Sequence, residues 1–254
     1  PTAQQRLERT RQAGRELAQA RPAMAALAGA VVRILAASDN ADGMARAAGQ
    51  LLAEYDQAIE RITAYARPHL QGTIMTHSLS GTVLAVLRAC LSSLKQIIIL
   101  EGRPLYEGRT VASELSGQGI ELTLLTDAQA DIFLPMCQAV VVGADSILAD
   151  GSVLNKAGTA LLARAARDHG VPFYVLSETL KIAAHAWTGD LHLLEEHPGR
   201  EVWSEAAPGI AVRNFYFDHT PAPLITRIIT EQGPLHEQHI ARQAEQLRGV
   251  AGFS

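Results

Sequence analysis

Apolar positions along the chain follow two different rhythms, and the change falls near residue 70. Before it the spacing is helical. TAQQRLERTRQAGRELAQA carries a thin apolar stripe on a polar helix. Met24, Leu27, Val31, Val32, Ile34 and Leu35 then recur at helical intervals behind Pro22, a residue suited to a first helical turn. Ser38-Asp39-Asn40 makes a stop, and Met44, Leu51, Leu52, Tyr55, Ile59 and Ile62 mark a third helix that Pro68 ends. From Gly72 short β-branched runs alternate with amphipathic helices, the signature of a parallel sheet with crossover helices. Strands are predicted at 73–76, 96–100, 121–125, 139–143 and 171–176, and helices at 80–94, near 110–118, at 127–137 and at 157–169. Runs this apolar imply strands buried on both faces. After Ser177 the pattern loosens. It resumes with a strand predicted near 212–217 and a helix opened by Thr220-Pro221. The fold class is α/β: a helical N-terminal domain over 1–68 and a parallel-sheet domain over 69–254.

Composition narrows the function classes more than the fold. A chain of 254 residues with 48% hydrophobic and 19% charged side chains has the apolar mass for a core of its own. Its net charge of -4 gives no general attraction for nucleic acid or an anionic membrane. With no apolar run near ~18 residues and no signal peptide, the chain reads as soluble and cytoplasmic. Cys90 and Cys137 both sit in apolar helical patterns, so free buried thiols are expected and a metal site has no support. No Gly-x-Gly-x-x-Gly fingerprint, phosphate-binding P-loop, nucleophile elbow or metal-spaced His cluster occurs, and no cofactor is expected.

If the sheet is doubly wound, the loops after its strands converge on one edge, and they hold the candidate chemistry. The stretch VVVGADSILADGSVLNK, 140–156, is the richest. A buried strand delivers Asp145 as a potential acid or base. A polar turn at Asp150-Gly151-Ser152 follows. Asn155 and Lys156 then stand at the N-terminus of the helix 157–169, where a cation and free backbone N–H groups together suit an anion. The loop Thr76-His77-Ser78-Leu79-Ser80-Gly81 runs straight into a helix, so Ser78 and Ser80 are either caps or phosphate ligands. Arg103 and Arg109, after the second strand, offer planar forks of donors matched to phosphate. Thr126-Asp127 reads as a helix cap. One carboxylate, one lysine, two arginines and several hydroxyls describe a pocket for a phosphorylated polyol.

The pieces GTIMTHSLSGTVLAVL, EGRPLYEGR, VVVGADSILADGSVLNKAGT, VPFYVLSETLKI and FDHTPAPLITRIITEQG, spread over about residues 70–235, resemble one family in order and spacing. It holds methylthioribose-1-phosphate isomerase, ribose-1,5-bisphosphate isomerase and the α, β and δ regulatory subunits of eukaryotic translation initiation factor 2B. The resemblance implies a helical N-terminal domain and a Rossmann-like C-terminal domain that dimerises. It also implies that Asp145 matches a catalytic aspartate and that Asn155 and Lys156 match a substrate-contacting pair. The position matching the isomerases' catalytic cysteine is Ser78, whose hydroxyl titrates far above a thiol and is a poor acid or base near neutral pH. The isomerases' Arg-Gly-Ala phosphate motif is missing, and Arg21-Pro22-Ala23-Met24 looks closer to the initiation-factor subunits. Two functions follow from the resemblance. One is a sugar-phosphate-binding protein on an isomerase-type pocket. The other is an intramolecular aldose–ketose isomerase of a ribose phosphate, with Asp145 and Ser78 catalytic and His77, Ser80, Arg103, Arg109, Asn155 and Lys156 binding substrate. The expected partners are a phosphorylated pentose or nucleotide-derived small molecule and a second copy of the chain. The apolar segment Phe215–Leu235 is the expected exposed contact surface for that copy.

Overall fold

The computed structural model describes residues 2–20 and 23–251; Arg21 and Pro22 of the Arg21–Met24 stretch lie outside the described residues. The helical rhythm at the start of the chain becomes α1 (Ala3–Gln19), α2 (Ala25–Ala36) and α3 (Ala41–Ala66). Asn40, from the predicted stop, caps α3 by accepting the Gly43 N–H at 2.8 Å. Pro68 sits in the short turn that closes α3.

The alternating part of the chain builds β1 (Gly72–His77), α4 (Gly81–Cys90), β2 (Leu94–Leu100), α5 (Glu107–Leu115), β3 (Glu121–Leu125), α6 (Ala130–Phe133) and β4 (Ala139–Val142). After a hairpin, β5 (Ser146–Ile147) and β6 (Val153–Lys156), come α7 (Thr159–Asp168), β7 (Phe173–Leu176), β8 (Phe217–Thr220), β9 (Arg227–Thr230), β10 (Gly233–Pro234) and α8 (Glu237–Ala251). One sheet runs in the order β10-β9-β7-β4-β1-β2-β3, parallel except for the β10–β9 pair. The chain starts at the centre with β1, runs outward to β3, then returns across β1 to β4 and continues the other way. That reversal between β1 and β4 is the switch point of a doubly wound sheet, where the carboxyl-end loops part to form a crevice.

Strand alternation gives both faces of this sheet a core. Met75, Ile98, Val140, Val142, Phe173 and Val175 pack with Leu162, Ala163 and Ala166 of α7 and Ile240 of α8. Ile74, Ile97, Ile99, Val141, Tyr174 and Ile229 point the other way, onto Val83, Val86 and Leu87 of α4 and Ile62 and Ala66 of α3. Cys90 and Cys137 are free and buried. Among the described residues no helix is long and apolar enough to cross a membrane.

Besides the β5–β6 hairpin, where the sequence predicts a loop, three predicted elements differ from the expectation. The helix predicted at 127–137 is broken into two 3-10 turns and the single turn α6, because Pro135 has no N–H to continue the ladder. The helix expected after Thr220-Pro221 is a 3-10 turn, Ala222–Leu224, and then β9; the β-branched run Ile228-Ile229-Thr230 is buried in the sheet. The strand expected near 212–217 is β8, shifted to 217–220. Phe217, Ile228 and Ile229 of the Phe215–Leu235 segment are therefore inside this chain rather than on an exposed patch.

Candidate functional site

Past β4 the stretch 140–156 forms a buried hairpin. Its turn at Asp150-Gly151-Ser152 joins β5 to β6, and β6 pairs antiparallel with β8 in a second, three-stranded sheet. Ser146 pins the start of α2 onto the hairpin: its hydroxyl donates to the Ala23 carbonyl at 2.6 Å and accepts the Ala25 N–H at 3.0 Å. Asp145, half-buried just past β4, shares this contact through its carbonyl, which accepts the Ala25 N–H at 3.2 Å. Asn155 and Lys156 accordingly lie in β6 and not at the start of α7. Asn155 donates to Thr159 Oγ1 at 3.0 Å, and Thr159 donates to the Lys156 carbonyl at 2.6 Å.

The anion pocket expected at the α7 N-terminus is filled by the chain itself. Asp218 of β8 accepts the Gly158 N–H at 2.7 Å and the Ala160 N–H at 3.0 Å. Burial pushes its carboxyl up to about 6, against the pull of those N–H groups and of Arg164. Lys156 has found a different partner. Its Nζ lies 2.5 Å from Glu107 Oε1 at the start of α5 and 4.7 Å from the ring centre of Tyr216, and the residue is only 4% exposed.

Loops after β1 and β4 meet as the topology requires. Gly143 approaches α4 so closely that a Cβ there would come within 2.6 Å of Ser80 Oγ. Ser80 caps α4 by accepting the Val83 N–H at 3.3 Å. Ser78, half-buried, is held at φ +65°, a left-handed conformation uncommon for a side-chain-bearing residue and a frequent companion of functional turns. His77 is buried at the end of β1. Its Nε2 lies 3.0 Å from the Ala157 carbonyl and its Nδ1 3.7 Å from Asp127 Oδ1. Desolvation lowers the pKa of His77, which keeps the ring neutral, so Nε2 carries the proton that the carbonyl accepts.

Arg103 and Arg109 flank the ring of Tyr106, with guanidinium carbons 5.0 and 3.8 Å from its centre. Arg103 also donates to the Val202 carbonyl at 2.9 Å, and Arg109 to Glu101 at 3.2 Å. Asp127 does not cap its own turn; its two oxygens take the N–H groups of Gly102 and Arg103 at 2.8 Å each and fix the loop after β2.

Three residues of this edge were not singled out from the sequence: Glu107, Glu178 and Asp218. Glu178, buried after β7, accepts from Thr82 Oγ1 in the first turn of α4 and lies 3.5 Å from Lys181 Nζ. Lys181 donates to the Ala144 carbonyl at 2.9 Å, so this pair ties the β1 loop to the β4 loop. Glu107 opens α5, Glu178 follows β7 and Asp218 lies within β8, so only Glu178 stood where a strand end could have signalled it. A cleft of about 860 Å³ opens beside this edge, between α2, α3 and α8, with Arg33, Tyr55, Arg61, Glu178, Glu231 and Arg242 on its walls. Of the crevice groups above it touches only Glu178, so its size reflects the gap between the helices.

Known proteins resemble the whole arrangement. The profile of the initiation factor 2 subunit family matches residues 2–237. Ribose 1,5-bisphosphate isomerase of Archaeoglobus fulgidus is 37% identical over 185 residues, 71% of this chain and 59% of that protein. Methylthioribose-1-phosphate isomerase of Syntrophotalea carbinolica is 38% identical over 244 residues, 92% of this chain and 70% of that one. The crystal structure of translation initiation factor eIF-2B from Pyrococcus horikoshii OT3 superimposes with a TM-score of 0.81 at 32% identity, covering 90% of this chain and 82% of the other.

Proposed function

The chain belongs to the initiation factor 2 subunit family, which spans ribose-phosphate isomerases and eIF-2B-like proteins, and from that premise we propose a sugar-phosphate-binding protein working on an isomerase-type crevice. One observation carries this reading. Among the described residues, the buried side-chain atoms without a hydrogen-bond partner are His219 Nε2 and Thr220 Oγ1 on β8 and three at the carboxyl edge of the sheet: His77 Nδ1, Glu107 Oε2 and Glu178 Oε2, the last within 3.5 Å of Lys181 Nζ. Each such atom costs about 1–3 kcal/mol unless something completes it. Hydroxyl groups of a sugar supply donors to these acceptors. Its phosphate suits the first-turn N–H groups of α4, beside Ser78 and Ser80. Serine at the position of the isomerases' cysteine favours binding over turnover, since Ser78 lacks a group that ionises near neutral pH. The alternative, a working aldose–ketose isomerase, is favoured by Asp145, Asn155 and Lys156, which match the resembled catalytic and substrate-contacting positions.

The test is to titrate ribose 5-phosphate, methylthioribose-1-phosphate and ribose-1,5-bisphosphate by calorimetry and to follow any ketose product by NMR. Binding with slow or no turnover is expected. Ser78→Cys should raise residual turnover and Asp145→Asn should abolish it, a lost acid–base group costing ~10²–10⁴ in rate. Fast wild-type turnover unaffected by Ser78→Ala would overturn the binding reading in favour of the isomerase. Failure to bind any pentose phosphate would overturn both. The same reading includes a homodimer, supported by the exposed Ile132, Met136 and Leu161 on and beside the mutually contacting α6 and α7; a monomer in light scattering at micromolar concentration would refute it.

A further inference from the structure

Lys156 is the cation from which a phosphate clamp would be expected, yet its charge is already matched inside the chain. Glu107 Oε1 stands 2.5 Å from Nζ, and Tyr216 covers the ammonium on another side. Glu107 is held there by the loop before it. Asp127 fixes the N–H groups of Gly102 and Arg103, and Tyr106 is clasped between Arg103 and Arg109. What this end of the crevice still offers is acceptors. Glu107 Oε2 is buried with no protein donor, and so is His77 Nδ1, since the His77 proton sits on Nε2 toward the Ala157 carbonyl. Two acceptors and a neutralised lysine suit hydroxyl donors. A phosphate brings only acceptor oxygens and negative charge, and would meet the Glu107 carboxylate before it could reach Lys156.

We infer that Glu107 is a specificity-determining residue: the crevice takes a pentose monophosphate, with sugar hydroxyls at the Glu107–His77 end, and discriminates against a second phosphate there. This rests on the reading that the crevice binds a phosphorylated pentose. Glu107→Gln keeps the shape, removes the repelling charge and frees Lys156 for an anion.

Calorimetry on the full chain with ribose 5-phosphate, ribose 1,5-bisphosphate and inorganic phosphate tests it. The wild type should bind the bisphosphate no more tightly than the monophosphate. E107Q should raise the affinity for the bisphosphate relative to the monophosphate by about tenfold or more, equivalent to roughly 1.4 kcal/mol, whatever it does to the monophosphate itself. The double variant E107Q/K156M should lose that gain, and Glu107→Asp, which keeps the charge, should keep the wild-type preference. A wild type that prefers the bisphosphate about tenfold overturns the inference; this needs no variant to fold. Equal preferences in wild type and E107Q also overturn it, while leaving sugar-phosphate binding intact. If no pentose phosphate binds either protein, the sugar-phosphate reading falls. Glu107 as an anion-excluding residue then stands only if E107Q, and not the wild type, takes up inorganic phosphate.

Discussion

Replacing Asp218 with asparagine should remove a measurable part of the protein's pH dependence. The carboxylate sits at the N-terminus of α7, where a negative charge is favoured by the helix dipole and by two N–H donors. Burial outweighs both, and its pKa rises from the ordinary 3.8 to about 6. For an acid, a folded pKa above the unfolded one means that the native state holds the proton more tightly. Its effect on stability is therefore nil well below pH 3.8, grows as a penalty while pH rises to about 6, and is constant above that. A displacement of about two pH units corresponds to roughly 3 kcal/mol in full. About half of that, ~1.4 kcal/mol, falls between pH 5 and pH 8, a window that avoids acid denaturation. Asparagine keeps one acceptor for the helix end and cannot ionise.

Urea unfolding of wild type and Asp218→Asn at pH 5, 6, 7 and 8, read from midpoints at a common slope, isolates this group from the others that titrate. The wild type should lose about 1–1.5 kcal/mol more than the variant across that range. A difference independent of pH would refute the burial argument. A wild type that gains on the variant as pH rises would show that the N–H donors win and that the carboxyl is acidified instead.

Two further substitutions test the packing around the crevice. Lys156→Met strands a largely buried Glu107, and should destabilise the fold by about 3 kcal/mol in chemical denaturation, with most of the loss recovered in Lys156→Met/Glu107→Gln; an additive double variant would mean that the pair is not coupled. Gly158→Ala should cost about 1–3 kcal/mol, because Gly158 adopts φ +109° and a Cβ would stand 3.0 Å from His77 Nε2; an unchanged midpoint would show that the helix start and the histidine yield easily.

The central strands were readable because each is a short, nearly all-apolar run between polar loops, as in QIIIL and AVVVG. The reading failed where one sequence satisfies two periods. Leu224, Ile225, Ile228 and Ile229 recur at helical intervals, and only the β-branched run Ile228-Ile229-Thr230 speaks for β9. The hairpin of β5 and β6 failed differently. Its turn residues were legible, but β6 is a strand by virtue of β8, which pairs Leu154 with His219 and Asn155 with Asp218 across more than sixty residues of chain. No local pattern carries that information.

The site shows the same division between position and partner. Order along the chain was enough to expect Ser78, Ser80 and Asp145 on loops at one sheet edge, because a doubly wound topology sends successive loops there, whereas His77, expected in the same loop, is the last residue of β1. Which charges remain available to a ligand depends on contacts that the order does not contain. The helices α4, α5 and α7 begin at this edge, and their starts differ in charge. α7 has its N–H groups closed by Asp218, and α5 carries Glu107 in its first turn. α4 has no acidic residue in its first turn and is capped by the neutral hydroxyl of Ser80. A phosphate approaching α5 or α7 meets a carboxylate already seated in the positive end of the helix, whereas the carboxylate beside α4, Glu178, is engaged by Thr82 Oγ1 and faces Lys181. The electrostatics thus support the proposal that the phosphate takes the α4 end, beside Ser78, and the uncharged part of the sugar the Lys156–Glu107 end of the crevice.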